Sequence, residues 1–252
     1  EARRYIPVPI SEVSLDWLVV PGGPDAGKEP RGEGKPIGKV EILLFAIHNE
    51  TIAKFRAIVS KVGLNSTFFE IEIFSTIRAV LDRGIAPVMI MDLGASATKL
   101  YIVEHGVVKN SHIINRGGQD ITIALSSALS SDISKAEEIK RAYGLKGAPE
   151  DSRVAESILL SLGNILAEAN QTIIAYQARE NKSIGKVVLT GGGALMPGLE
   201  ELARETFKTE VELANPFSKV QTPAFLEGVL KKAGPEFAVA IGVALRKLEE
   251  KS

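Results

Sequence analysis

The chain has 252 residues, of which 45% are hydrophobic and 24% are charged, and its formal net charge at pH 7 is −1. This length and apolar content allow one large domain or two small ones with a buried core. The near-neutral charge argues against nucleic acid as an electrostatically bound partner, and the absence of cysteine excludes disulfides and thiolate metal sites.

A small α+β unit is predicted at the start of the chain. Residues 12–20 and 39–47 have the pattern of strands, and the connector between them is rich in glycine, proline and charge, which is typical of a mobile hairpin loop. A helix is predicted up to Val62, since apolar residues recur at steps of three and four and Gly63 follows. The residues on its apolar face are Ile52, Phe55, Ile58 and Val59. A strand at 67–71 and a helix at 74–81 complete the unit.

A meander of three strands is predicted after Pro87, in the segments VMIMDLG, TKLYIVEHG and VVKNSHIIN. Two helices follow it. Asp120 leads the first, and Ser134 with Glu137 has the spacing of a capping box for the second, which Gly144 ends.

The last third of the chain is predicted to contain a long helix, a short strand and two further helices. Apolar residues at steps of three and four run through 153–180, and the strand KVVLT at 186–190 leads into a glycine triplet that opens another helix. The final helix is predicted to start at Pro235. Its predicted buried face consists of Phe237, Ala240, Ile241, Ala244, Leu245 and Leu248.

The stretch DLGASATK is the first candidate site. Asp92 closes a buried strand, where a carboxylate can hold Mg²⁺ through water, and Gly94 allows close backbone approach to a ligand. Ser96 and Thr98 add hydroxyls beside turn amides that could bind an anion. An ordinary hairpin is an equally good interpretation of this stretch alone.

The stretch LTGGGALMPGL is the second candidate site. Gly191, Gly192 and Gly193 come directly after a strand and before a helix, so no side chains block a flat or anionic ligand there. A flexible turn is the alternative. The stretch is not a Walker A loop, because no Gly-Lys-Ser/Thr follows, and it is not a dinucleotide fingerprint.

Taken in order, these two motifs resemble the second phosphate motif and the adenosine motif of the actin/Hsp70/sugar-kinase ATPases. NRGGQDIT (residues 115–122) resembles the loop before a helix in the bacterial actin-like branch. AEEIKRAYG (residues 136–144) resembles the helix whose Glu and Lys flank the ribose, here Glu137 and Lys140. Spacing of three places both on one helix face, although an ordinary surface ion pair has the same spacing.

The resemblance implies a Mg²⁺-ATP site with Asp92 as the metal ligand and no identified catalytic residue, so any hydrolysis is expected to be slow. The implied nucleotide-binding residues are Asp92, Gly94, Ser96, Thr98, Lys99, Gly117, Gly118, Glu137, Lys140, Gly191, Gly192 and Gly193.

Three further segments narrow the resemblance to the PilM family, the cytoplasmic actin-like proteins of type IV pilus assembly. They are RYIPVPISEVSLDW near the start, NPFSKV at 215–220 and GPEFAVAIGVALR at 234–246. The family implies an ATP-binding scaffold at the cytoplasmic face of the inner membrane. Its implied partners are the N-terminal cytoplasmic tail of the membrane protein PilN and the pilus motor ATPases, and only these partners link it to the membrane.

The implied fold class is α/β, an actin-like ATPase fold of RNase H-like mixed sheets with an inserted small α+β subdomain. Residues 1–86 would form that subdomain and a connecting helix of the first domain, 87–233 the nucleotide-binding second domain, and 234–252 a helix returning to the first. The superfamily's first phosphate hairpin, Asp-x-Gly-x-x-x-x-Lys, does not occur before residue 92. We therefore expect an N-terminally truncated member with an incomplete first domain and weakened ATP binding.

Two alternatives belong to other functional classes. An FtsA-like cell-division protein would end in a membrane-targeting amphipathic helix, whereas the predicted last helix runs into RKLEEKS. A phosphotransferase of the sugar-kinase type, or a weak ATPase, would need an acid or base beside the γ-phosphate and a substrate pocket. No residue stands out in either role.

Overall fold

A computed structural model describes residues 6–20, 42–82, 84, 86–149 and 151–249. The chain divides into two compact units, Glu1–Glu70 and Ile71–Ser252. The predicted connector at 21–38 and the first residues of the predicted second strand lie outside the described residues. The division into actin-like domains stays a prediction.

The first unit contains a two-stranded antiparallel sheet and one helix. Strands β1 (Val13–Val19) and β2 (Ile42–His48) pair with Val13 opposite His48, and helix α1 (Asn49–Lys61) follows β2 directly. The Asn49 side chain ties the start of α1 to the segment before β1, because its Nδ2 donates to Ser11 O at 3.0 Å. The predicted face of α1 is not buried, since Phe55 and Ile58 are 55% and 59% exposed.

The second unit is built on a mixed five-stranded sheet with the order β5-β4-β3-β6-β7. Neighbours β3, β4 and β5 are antiparallel, as the predicted meander requires, whereas β6 is parallel to both β3 and β7. The strands are β3 (Val88–Leu93), β4 (Thr98–Glu104), β5 (Val107–Ile114), β6 (Lys186–Thr190) and β7 (Glu210–Leu213). The helices are α2 (Glu72–Val80), α3 (Gly118–Leu129), α4 (Ile133–Tyr143), α5 (Arg153–Glu180), α6 (Leu199–Phe207), α7 (Glu227–Ala233) and α8 (Ala238–Glu249).

The main core lies on one face of this sheet, against α5. The strands contribute Met89, Met91 and Leu93, and α5 contributes a stripe at steps of three and four that includes Ile158, Leu162 and Ile165. By length and composition α5 could also cross a membrane, but the burial of this stripe is what the central helix of a globular unit shows.

A smaller apolar cluster covers the other face of the sheet, where Ile73 of α2 packs against Ile90 and Val103. Helix α8 lies against α2 at Gly242, where a Cβ would come within 1.9 Å of Ser75 O. Asp92 alternates with Met91 along β3, so its side chain belongs to this second face.

Three predictions of local structure are wrong. Residues 67–71 form no strand, because no described strand pairs with them. Asp132 caps α4 by accepting from Lys135 N at 2.8 Å, so Ser134 and Glu137 do not form the cap. The predicted α8 face is largely exposed, including Phe237 at 46% and Leu248 at 61%, while Ala238 and Gly242 are buried.

Candidate nucleotide site at the ends of two parallel strands

Asp92 and the glycine triplet lie side by side because β3 and β6 are parallel neighbours. Asp92 is in register with Thr190, the last residue of β6. The turn that follows begins at Gly191, whose φ of +83° favours glycine. The ends of parallel strands are where open α/β sheets commonly hold ligands.

The Asp92 carboxylate is half-buried, and no donor among the described residues hydrogen-bonds to it. Burial raises its pKa above the ordinary value of 3.8. Burial, and then the charge of Asp92, raise the pKa of the neighbouring Tyr101 to about 12. A carboxylate without a donor partner is suited to bind a cation or a water held by one.

Two of the three glycines are required by packing against the end of β3. A Cβ on Gly191 would lie 2.4 Å from Asp92 Oδ1, and one on Gly193 would lie 2.5 Å from Leu93 Cγ. Gly192 differs, because it is exposed and its nearest neighbour is Glu236 Oε1, at 3.3 Å from such a Cβ. Gly192 is therefore the position at which a flat ligand could approach the backbone.

The β3–β4 hairpin, residues 94–97, is a tight turn closed by Gly94 N donating to Ala97 O at 3.1 Å. Ser96 is exposed at its tip. Thr98 is fully buried and its hydroxyl donates to Arg116 O at 2.8 Å, so its side chain holds the hairpin against the loop before α3.

Lys99 stands opposite Asp92 in the β3–β4 register and pairs with Glu72 at the start of α2. Burial lowers the pKa of Lys99. The register places the side chains of Asp92 and Lys99 on the same face of the sheet. A bound cation would be attracted by Asp92, and a bound anionic group by Lys99 beside it.

The first turn of α3 is bonded to the hairpin. Gly118 N donates to Gly94 O and Gln119 N donates to Ala95 O, both at 2.8 Å. Only glycine fits at position 117, because a Cβ there would lie 2.5 Å from Ala95 O. The sequence predicted that Asp120 leads this helix, whereas α3 begins at Gly118 and Asp120 is its third residue. The Asp120 side chain accepts from Gly117 N at 2.8 Å and so caps the start of the helix.

Glu137 and Lys140 form one hydrogen-bonded network with two further residues. Glu137 Oε2 contacts Lys140 Nζ at 2.7 Å and Thr122 Oγ1 at 2.5 Å, and Glu137 Oε1 accepts from Arg141 Nε at 2.7 Å. Burial opposes the ionised form of Glu137, but the bonds from Lys140, Thr122 and Arg141 outweigh it and lower its pKa to about 2.

The end of α4 is joined to the glycine loop, because Leu145 N donates to Pro197 O at 2.8 Å. Glu236 lies near the glycine loop and near α4. Its carboxylate is the nearest neighbour of a Cβ built on Gly192. The pKa of Arg141 is raised mainly by the hydrogen bond and charge of Glu137, and to a smaller extent by the charge of Glu236. Thr122, Arg141 and Glu236 were not predicted. Arg141 has a spacing of four from Glu137, while Thr122 and Glu236 lie in the segments 115–122 and 234–246 that carried the family resemblance.

The residues present fit a magnesium nucleotide. For the phosphates and their metal, Asp92 provides a carboxylate and the hairpin a glycine turn. For the nucleoside, Glu137 provides hydrogen-bond acceptors and the exposed Gly192 leaves the backbone open. No cluster of three or more His, Cys, Asp or Glu that could cage a metal occurs in the part of the chain that the structure describes. Mg²⁺ in nucleotide sites uses one or two carboxylates together with phosphates and water, and Asp92 could be such a carboxylate.

Solved structures show that the chain has the fold of the actin-like ATPases. MreB5 of Spiroplasma citri bound to ADP matches with a TM-score of 0.59 at 14% identity, over 81% of this chain and 67% of that one. The ethanolamine utilization protein EutJ from Carboxydothermus hydrogenoformans matches at 0.60 and 17% identity, over 79% of this chain and 62% of that one. The predicted fold class is confirmed.

The chain belongs to the family of the type IV pilus assembly protein PilM, whose family profile matches residues 1–248. The structure of a PilM–PilN type IV pilus biogenesis complex matches with a TM-score of 0.79 and 27% identity, over 97% of this chain and 69% of that one. The predicted family is thereby confirmed.

The chain is also similar to the cell-division protein FtsA. FtsA of Bacillus subtilis strain 168 is 25% identical over 257 residues, which cover 91% of this chain and 58% of FtsA. FtsA of Enterococcus faecalis is 27% identical over 75% of this chain and 48% of its own length. The chain thus spans about half the length of these curated relatives.

Proposed function

We propose that this chain is the ATP-binding, actin-like scaffold of type IV pilus assembly, and that it couples the inner-membrane pilus complex to cytoplasmic components. The observation that supports the nucleotide site best is the meeting of Asp92 with the Gly191–Gly193 turn at the ends of β3 and β6. Membership of the PilM family supports the pilus role.

Each end of the site has its own task in this proposal. Asp92 holds Mg²⁺ through water, and the hairpin at 94–97 faces the phosphates. Glu137, ionised at neutral pH because its pKa is lowered to about 2, accepts hydrogen bonds from ribose hydroxyls. Gly192 leaves room for the base. Mg²⁺-ATP would supply negative charge and hydroxyl donors that complement these groups.

The same residues argue for binding more than for turnover. A general base has to lie within hydrogen-bonding distance of the attacking water, with a pKa near the working pH. Burial raises the pKa of Asp92, but this carboxylate is assigned to the metal, and Glu137 is strongly acidic. We therefore expect at most slow hydrolysis, which would act as a regulatory step.

The proposed partner is the N-terminal cytoplasmic tail of the membrane protein PilN. The matched structure with a TM-score of 0.79 is a PilM–PilN complex, which supports this partner. Such a contact would place the protein in the cytoplasm at the inner-membrane face, with membrane association only through partners. The pilus motor ATPases are the proposed cytoplasmic components.

Calorimetry on the full-length protein tests the nucleotide site. We expect the wild type to bind Mg²⁺-ATP. Asp92→Asn should lower the affinity for Mg²⁺-ATP much more than the affinity for metal-free ATP, which is measured in the presence of a chelator. Glu205→Gln is the matched control, because it removes one carboxylate from the exposed face of α6. Equal Mg²⁺-ATP affinity for the wild type and Asp92→Asn would remove Asp92 from the site.

A pull-down with the PilN tail from the same genome tests the pilus role. Binding is expected, and its absence both with and without nucleotide would contradict the proposed partner. The similarity to FtsA makes cell division the second candidate. Deletion of the gene separates the two, since loss of surface pili with normal division supports the pilus role, whereas filamentous cells with intact pili support division.

A further inference from the structure

The side chain of Lys140 is fully used inside the protein. It is 7% exposed, and its Nζ contacts Gly118 O at 2.8 Å, Thr122 Oγ1 at 2.7 Å and Glu137 Oε2 at 2.7 Å. An ammonium group has three protons and no acceptor. Three acceptors therefore satisfy Lys140 completely, and no proton is left for a ribose hydroxyl.

The peptide groups of Gly118 are held from two sides. Lys140 binds the carbonyl of Gly118, while the amide of Gly118 donates to Gly94 O in the hairpin at 2.8 Å. Position 118 also lies in contact with Lys140, because a Cβ there would be 3.5 Å from Lys140 Nζ, an ordinary van der Waals distance. A shift of the Lys140 ammonium group would therefore displace Gly118, and Gly118 would displace the hairpin that it binds.

The third acceptor of Lys140 belongs to the opposite end of the site. Glu137 Oε2, bonded to Lys140 and Thr122, is the carboxylate assigned above to the ribose. A continuous path of three contacts therefore runs from Glu137 through Lys140 and Gly118 to Gly94 at the start of the hairpin.

We propose that Lys140 is a positioning residue that sets the distance between the nucleoside end and the phosphate hairpin, and that it does not itself contact the ligand. The proposal rests on the proposed nucleotide site. It is favoured over a direct contact by the burial of Nζ and by its three internal acceptors. If Lys140 has this role, its removal lowers the affinity for ligands that reach both ends of the site more than the affinity for ligands that occupy the nucleoside end alone.

Hydrogen exchange measured by NMR tests the path without any ligand. In Lys140→Met we expect faster exchange of the Gly118 and Gln119 amides, which donate to the hairpin, while the β3–β6 amides stay protected. Lys135→Met is the control, because Lys135 lies on the same helix but is 59% exposed and pairs with Glu138 at the surface. Unchanged exchange at Gly118 and Gln119 in a folded Lys140→Met would overturn the proposal.

Calorimetric titration with adenosine and with Mg²⁺-ATP tests the function of the path in the full-length protein. Groups that orient the residues that bind a metal ion typically contribute about ten- to a hundredfold in affinity. We expect Lys140→Met to lower the affinity for Mg²⁺-ATP by this factor. The affinity for adenosine should fall by a factor at least about ten times smaller, because Arg141 and Thr122 still bind Glu137. A direct contact with ribose predicts the same loss for both ligands, and that result would overturn the proposal.

Thr122→Val is the second variant, and it keeps the test valid if Lys140→Met does not fold. It removes one acceptor of Lys140 at nearly constant volume, but it also removes a donor to Glu137, so hydrogen exchange is its readout. We expect faster exchange of the Gly118 and Gln119 amides, by less than in Lys140→Met, and unchanged exchange in folded Thr122→Val contradicts the proposal. If wild-type protein binds neither ligand, the proposed nucleotide site fails, and the exchange experiment alone decides the role of Lys140.

Discussion

The Asp92 carboxylate rests against the backbone of Gly191, so that a Cβ on Gly191 would lie 2.4 Å from Asp92 Oδ1 and 2.7 Å from Leu93 O. Because the two residues terminate adjacent parallel strands, the contact fixes the carboxylate and the glycine turn relative to each other. The geometry of the site thus depends on Gly191, a residue that need not itself contact a ligand.

Gly191→Ala is expected to destabilise the protein by about 3 kcal/mol, from overpacking against Asp92 and from an unfavourable left-handed backbone at φ +83°. Urea denaturation measures the loss. Gly163→Ala is the control, since a Cβ at this position of α5 would meet no described atom within 4 Å apart from its chain neighbours and the helix's own backbone, and we expect it to stabilise by about 0.5–1 kcal/mol. Similar effects of the two substitutions would contradict this account of Gly191.

Asp92→Asn is expected to stabilise the free protein at neutral pH while weakening Mg²⁺-ATP binding. Burial raises the folded-state pKa of Asp92 above 3.8, so its ionisation disfavours folding, and stability falls as pH rises from 3.8 through the folded pKa. The gain from Asn should therefore be small at pH 3 and largest at pH 7. Urea denaturation across this range checks the trend, and a gain that does not increase with pH would exclude burial as its cause.

Glu137→Gln is expected to show the opposite pH dependence. Bonds from Lys140, Thr122 and Arg141 outweigh burial and lower the pKa of Glu137 from 4.5 to about 2, so the ionised form stabilises the fold above pH 4.5 and this contribution is lost as pH falls toward 2. At pH 7 we expect a loss of about 2 kcal/mol, limited by screening because the side chain is 33% exposed.

The difference between wild type and Glu137→Gln should therefore shrink as the pH is lowered from 7 to 3. Unfolding curves measured by circular dichroism at each pH give this difference directly. Glu138→Gln is the matched control, since Glu138 is the next residue of α4, is 67% exposed and pairs with Lys135 at the surface. A pH-independent difference for Glu137→Gln would contradict the lowered pKa.

The second unit was predicted more completely from the sequence than the first. Its strands carry alternating or continuous apolar patterns, and the order of Asp92 and the glycine triplet matched known motifs. The segment at 67–71 has the aromatic and β-branched residues of a strand but forms none. A strand requires a partner, and local composition does not reveal whether one is present.

The site was predicted residue by residue, but not its internal bonding. Lys140 and Glu137 were expected beside the ribose, and nothing in their spacing showed that Thr122 of another helix would complete the network. Similarly, large apolar residues pointed to one face of α8, although α8 packs on α2 at Gly242. Close backbone approach is specified by the smallest residue, which contributes nothing to a hydrophobic pattern.

Gly242→Ala tests whether this close approach of α2 and α8 is required. A Cβ at position 242 would lie 1.9 Å from Ser75 O, and the carbonyl of Gly242 also accepts from Arg78 Nη1 at 2.9 Å, so the helices cannot separate without losing this bond. We expect a loss of about 3 kcal/mol in the free energy of unfolding. Gly228→Ala in α7 is the control, because a Cβ there would meet no described atom within 4 Å apart from its chain neighbours and the helix's own backbone, and it should stabilise slightly. Since α2 also carries Glu72, the partner of Lys99 opposite Asp92, displacement of α2 should weaken Mg²⁺-ATP binding as well, and calorimetry on folded Gly242→Ala measures that effect.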